Sequence, residues 1–195
     1  MDPTMPASYP AVFLDRDGVL IENKSDYVRS IGEAVPIWGA FEALARFRHQ
    51  SPAYRVIVVT NQAGIGKGII THATVAAIHA HLSAWARATG GGIDAFYVCP
   101  HRNDEPSLCR KPAPGMLLQA AREWSIDLAR SVMIGDALTD VQAGLAAGAR
   151  PILVRTGRGE SEAARLTSFG LTEVTVVPDL AAALERVEGS PRLSG

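Results

Sequence analysis

Asp15 and Asp17 stand one residue apart at the end of Ala11-Val12-Phe13-Leu14, an apolar run that reads as a buried strand, and Gly18 follows them. A glycine there lets the backbone turn sharply, so that both carboxylates can converge on one point. Two acids on one point suit a hard cation and, through it, a phosphoryl group. An isolated Asp-x-Asp is more often a solvated turn, but three later segments change that reading. Thr60 and Asn61 close the β-branched run Val56-Ile57-Val58-Val59, Arg110 and Lys111 precede Pro112, and Asp136 follows Val132-Met133-Ile134-Gly135. They add a hydroxyl, two cations and a third carboxylate.

Taken in order, Asp15-Arg16-Asp17-Gly18, Thr60-Asn61-Gln62, Arg110-Lys111-Pro112 and Gly135-Asp136 resemble the four motifs of the haloacid dehalogenase (HAD) superfamily of phosphatases. Within it, the chain is most similar to the D,D-heptose bisphosphate and histidinol phosphatase group, over residues 11–159. The resemblance implies a Mg²⁺-dependent phosphatase that removes the 7-phosphate of D-glycero-D-manno-heptose 1,7-bisphosphate, on the route to nucleotide-activated heptose. It makes Asp15 the nucleophile that forms an aspartyl phosphate and Asp17 the acid and base. Mg²⁺ would rest on the Asp15 and Asp136 carboxylates and the Asp17 backbone carbonyl, while Thr60, Asn61, Arg110 and Lys111 would hold phosphoryl oxygens. The polar stretch Asn23-Lys24-Ser25-Asp26-Tyr27 beyond the carboxylates, with Gln62 and Ala63, is a candidate substrate contact. Asp140, four residues after Asp136, would either orient Lys111 or a metal-bound water, or serve only as an acid at a helix start.

The resemblance departs at one point. A Cys-x-His…Cys-x-Cys loop that closes a structural zinc site in that group is here Cys99-Pro100-His101 with Cys109, and Ser107 stands where a third cysteine is expected. A neutral hydroxyl replaces thiolate poorly, which leaves open a Zn²⁺ held by Cys99, His101 and Cys109 with water, Asp104 or Glu105, or no zinc at all. Rival readings are a histidinol phosphate phosphatase with the same machinery and a phosphosugar-binding protein without turnover.

The 195 residues suit one domain, expected over 10–188 between a loose leader (1–9) and a tail (189–195). With 47% hydrophobic and 20% charged residues the composition is that of a globular α/β protein, and the net charge of −1 implies no nucleic-acid partner. No apolar run is long enough to span a bilayer and the start lacks the regions of a signal peptide, so a cytoplasmic monomer acting on a small phosphorylated sugar is expected. Two cysteines in a reducing compartment read as thiols or metal ligands.

Strands at 11–14, 55–59, 93–99, 131–135, 151–154 and 174–177 must carry these residues, alternating with helices near 41–48, 71–89, 114–124, 138–147 and 180–184. That alternation predicts a Rossmann-like, doubly wound parallel sheet with no inserted cap domain and its site at the strand C-terminal ends. Gly64-Ile65-Gly66-Lys67-Gly68 fails the nucleotide P-loop pattern and reads as a loop beside the site. His72, His79 and His81 read as surface residues of the 71–89 helix, because 79 and 81 face different ways.

Overall fold

A computed structural model describes residues 8–188. Six strands, β1 (Ala11–Leu14), β2 (Arg55–Asn61), β3 (Ala95–Cys99), β4 (Val132–Gly135), β5 (Arg150–Val154) and β6 (Thr175–Val177), form one parallel sheet in the order β3-β2-β1-β4-β5-β6. The chain leaves β1 in one direction and returns to β4 on its other side, which opens a crevice at the C-terminal ends of β1, β2 and β4.

Among the described residues seven α-helices flank the sheet: α1 (Ala40–Gln50), α2 (Ala63–Gly66), α3 (His72–Ala88), α4 (Gly115–Trp124), α5 (Leu138–Ala147) and α6 (Gly159–Ala163) between strands, and α7 (Leu180–Glu188) after β6. Alternate residues of each strand point to opposite faces, and each face has its own core. Val12, Leu14, Val56 and Val58 pack with Leu44, Phe47, Ile78, Leu82 and Leu184 of α1, α3 and α7. Ala11, Phe13, Ile57 and Val59 pack with Met116, Leu117, Ala143 and Ala147 of α4 and α5. This is why the strands read as continuous apolar runs rather than alternating ones.

Local signals set the helix ends. Thr71 Oγ1 accepts from Thr74 N at 3.0 Å to start α3, and Gly148 (φ 82°) closes α5 in a conformation that costs other residues more. No domain is inserted as a cap: the 15–39 connection holds only a 3₁₀ turn at Ile31–Glu33 and single bridges of Ile21 to Asp17 and Pro36. Among the described residues no helix is long and apolar enough to cross a membrane.

Three expectations need correction. Tyr9 does not belong to a loose leader: it bridges Ile126, and Arg55 lies over its ring at 4.5 Å. Residues 1–7 and the tail at 189–195 lie outside the described residues. The glycine-rich stretch after β2 is not simply a loop, because Ala63–Gly66 makes a helical turn with Ala63 and Gly64 buried. His79 is not at the surface; it is 7% exposed and stacks on Phe96, ring centroids 4.3 Å apart.

Candidate active site

β1 ends by handing Asp15 to the centre of the crevice, where Asp15 N still donates to Ile134 O of β4 at 3.0 Å. The chain then turns: Gly18 takes φ +84°, its N donates to Ile21 O at 2.7 Å, and Leu20 N donates to Arg16 O at 3.0 Å. A Cβ on Gly18 would run into the Asp136 carboxylate, so the glycine is required both for its dihedral and for this close approach.

Lys111 lies at the floor. Its side chain is 1% exposed, and Nζ reaches Asp15 Oδ1 at 2.9 Å, Asp140 Oδ1 at 2.7 Å and Val59 O at 2.8 Å. Burial alone would push the Lys111 pKa down, but Asp140 and Asp15 outweigh it and hold the ammonium above its ordinary value. Asn61 secures the segment that delivers this lysine: its Nδ2 donates to Lys111 O at 3.0 Å, and its Oδ1 accepts from Lys111 N at 3.1 Å. Asp140 therefore does touch Lys111, and its other oxygen accepts from Ala137 N at 3.1 Å, capping α5. Burial raises the Asp140 pKa against the pull of Lys111, while Asp15 and Asp136 add to the rise.

Asp136 is fully buried, and desolvation together with Asp15 raises its pKa. Asn23 Nδ2 donates to its Oδ2 at 3.2 Å, as does Arg158 N at 2.8 Å, and Arg158 Nη2 reaches Oδ1 at 3.4 Å. Oxygens of Asp15, Asp136 and Asp140 all lie within 4.8 Å of one another. Three buried acids face one buried ammonium and the half-exposed Arg158, so the donor set is hard, anionic and short of positive charge. That composition fits Mg²⁺, with Asp15, Asp136 and the Asp17 carbonyl as the candidate ligands and Asp140 committed to Lys111.

The cavity above this floor encloses about 340 Å³. Asp15, Asp17, Asn23, Lys24, Ser25, Tyr27, Asn61, Gln62, Ala63, Arg110 and Lys111 line it. Thr60 lies buried just behind, its Oγ1 accepting from Gln62 Nε2 at 2.8 Å. Asp26 is not brought there, because its carboxylate turns to Arg29 at 2.9 Å. Arg110 is steadied by Asn103 Oδ1 at 2.7 Å and His101 O at 3.4 Å.

Several residues to which the sequence drew no role join the site. Asn103, Thr139 and Arg158 line the cavity, Thr156 Oγ1 donates to Gly18 O at 2.6 Å, and Gly157 leaves room beside Asp136 that a Cβ would fill. Arg16 was visible inside a motif, yet nothing in the motif showed where its guanidinium goes.

Cys99 at the end of β3 and His101, Ser107 and Cys109 of the loop after it form one cluster. Ser107 Oγ is 3.5 Å from Cys99 Sγ, 3.2 Å from His101 Nδ1 and 3.1 Å from Cys109 Sγ. The two sulfurs, expected as thiols or metal ligands, are instead joined to each other. A sulfur of each cysteine and a ring nitrogen of His101 lie within 4.8 Å of one another, so the three expected zinc ligands are brought together, with the Ser107 hydroxyl among them where a closed tetrahedral site needs a thiolate.

The HAD-hydrolase-like family model matches residues 108–183. The D-glycero-β-D-manno-heptose-1,7-bisphosphate 7-phosphatase of Pseudomonas putida is 40% identical over 175 residues, 90% of this chain and 97% of that protein. The crystal structure of the D,D-heptose 1,7-bisphosphate phosphatase of B. bronchiseptica, complexed with magnesium and phosphate, superposes with a TM-score of 0.83 at 39% identity, covering 91% and 97% of the two chains. That of Burkholderia thailandensis gives 0.68 at 38% identity, covering 93% and 99%. The fold, the four motifs and these relatives make this chain a HAD-superfamily hydrolase. Within the superfamily it belongs to the D,D-heptose 1,7-bisphosphate phosphatase group.

Proposed function

We propose that the protein is a Mg²⁺-dependent phosphomonoesterase that removes the 7-phosphate of D-glycero-β-D-manno-heptose 1,7-bisphosphate. One observation carries the chemistry: Asp15 presents a carboxylate oxygen held by the buried Lys111 ammonium at 2.9 Å, beside Asp136 and with Asp17 at the cavity wall. The substrate rests on the names of the relatives, two of which match about nine-tenths of this chain at 39–40% identity.

In this reading the Asp15 carboxylate attacks phosphorus, the bond from phosphorus to the C7 oxygen breaks, and Asp17 gives that oxygen its proton. Water then attacks the aspartyl phosphate, Asp17 takes the proton back, and inorganic phosphate leaves. Lys111 balances the acids and, with Thr60 and the Asn61 backbone N–H, holds phosphoryl oxygens as charge spreads over them. Arg110 faces the substrate from the loop after β3. Mg²⁺, when bound, offsets the repulsion between an anionic nucleophile and an anionic phosphate. The product is a sugar 1-phosphate, which suits activation by a nucleotide, and the cytoplasm is the compartment we assign to it.

The test is phosphate release from both anomers of heptose 1,7-bisphosphate, histidinol phosphate and fructose 1,6-bisphosphate, with Mg²⁺ or EDTA and with Asp15→Asn. We expect Mg²⁺-dependent release that prefers the β-anomer and disappears in the variant. A preference for histidinol phosphate would overturn the substrate, and tight binding without release would make the protein a phosphosugar binder. The presence of both acids argues against the latter, since binding alone does not require two desolvated carboxylates.

A further inference from the structure

Arg16 sits between the two catalytic acids in sequence, yet its side chain has no exposed surface. It turns under the loop and forks onto Asp17: Nη2 lies 2.9 Å from each carboxylate oxygen, and Nε lies 3.3 Å from Oδ1. Gln62 Nε2 adds a donor to Oδ2 at 2.9 Å. On its far side Arg16 Nη1 meets His79 Nε2 at 3.4 Å, and the His79 ring lies flat on Phe96 of β3. A guanidinium can only donate, so Nε2 must accept, which makes His79 a neutral imidazole with its proton on Nδ1. Burial, and after it the Arg16 charge, lowers the His79 pKa to about 3, in keeping with that assignment.

Burying a guanidinium is costly unless its donors are satisfied, and an ion pair in such a place is weak support for stability. What this one does supply is direction. We propose that Arg16 and His79 are positioning residues for Asp17: the neutral imidazole, fixed by its stack on Phe96, holds the guanidinium, and the guanidinium fork sets which way the Asp17 carboxyl faces the leaving oxygen. The inference rests on the phosphatase reading above. It extends the site below the sheet ends to α3, an element that contributes no residue to the cavity lining.

A merely structural role would slow every substrate alike, whereas loss of a positioned acid matters only for leaving groups that need a proton. The experiment is kcat/KM over a series of phosphomonoesters, from alkyl phosphates to nitrophenyl phosphate, for wild type, Arg16→Met, His79→Phe and His79→Gln. For Arg16→Met we expect a loss approaching that of Asp17→Asn on alkyl phosphates, about 100-fold, and less than about threefold on nitrophenyl phosphate. His79→Phe, which keeps the stack and drops the acceptor, should lose about tenfold on alkyl phosphates only, and His79→Gln, which restores an acceptor, should recover most of it.

Equal losses across the series, or an unaltered His79→Phe, would overturn the proposal, and the His79 pair decides it even if Arg16→Met does not fold. A wild type active on the series but inert towards heptose bisphosphate sinks the substrate reading and leaves this test standing. One inert towards every phosphomonoester removes both.

Discussion

At the scale of single residues, the arrangement depends on charges that are buried because they are paired. His79 is the exception, buried because it is neutral, and this has a measurable sign. Its pKa falls from 6.5 to about 3 on folding, so between those values the unfolded chain binds a proton that the folded protein refuses. The stabilising effect of the neutral ring is present above pH 6.5 and is lost as pH falls, at about 1.4 kcal/mol per pH unit. In urea unfolding we expect wild type to lose about 2 kcal/mol more than His79→Phe between pH 7 and pH 5. Equal losses would mean that the ring is accessible to protons. The position was legible in principle, since Val75, Ile78, His79, Leu82 and Ala86 make one buried stripe along α3. Comparing His79 only with His81 asks about a metal pair and misses the stripe. The reach of Arg16 could not be read, because the partner that reveals it is 63 residues away.

At the scale of elements, the apolar runs and their charged ends placed β1, β2, β4 and β5 within a residue or two, because strands covered on both faces leave a continuous signature. Three of the four motifs fell at strand ends for the same reason, while Arg110-Lys111-Pro112 lies in the loop between β3 and α4. The return of the chain over Asp136 at Thr156–Arg158 had no such mark, since a backbone N–H and a glycine carry no local pattern that names a partner. The loop after β3 carries the clearest departure in sequence, and its geometry sharpens an expectation about metal. Ser107 contributes an oxygen in the midst of His101, Cys99 and Cys109, where a closed site needs a thiolate. Protein purified under reducing conditions without added zinc should carry well under one zinc per chain by elemental analysis. A full equivalent, lost in Cys109→Ser, would show that three side chains and a solvent ligand suffice.

At the scale of the whole molecule, stability and function meet at the acid cluster. Asp15, Asp136 and Asp140 are each at most 6% exposed, and Lys111 and Arg158 supply two positive charges to the three acids, so a further cation would offset the repulsion that remains. An ion that binds only the folded state stabilises it by mass action, about 2.7 kcal/mol at a hundredfold excess over Kd. Mg²⁺ should therefore raise the melting temperature of the wild type by several degrees and leave Asp136→Asn unchanged, a result that calorimetry reads without any substrate. A shift that survives in Asp136→Asn would place the ion elsewhere.

The position of β1 in the middle of the sheet also has a consequence in time. Its backbone is paired on both sides, to β2 and to β4, and covered on both faces, so its amides become free only when the whole protein opens. The segments over the cavity, Asn23–Tyr27 and the loop that carries Asn103 and Arg110, hang from that strand and its neighbours by few backbone bonds. In hydrogen exchange we expect the amides of those segments to be replaced well before those of β1, so that the surface meeting the substrate opens on a shorter clock than the strand that holds the nucleophile.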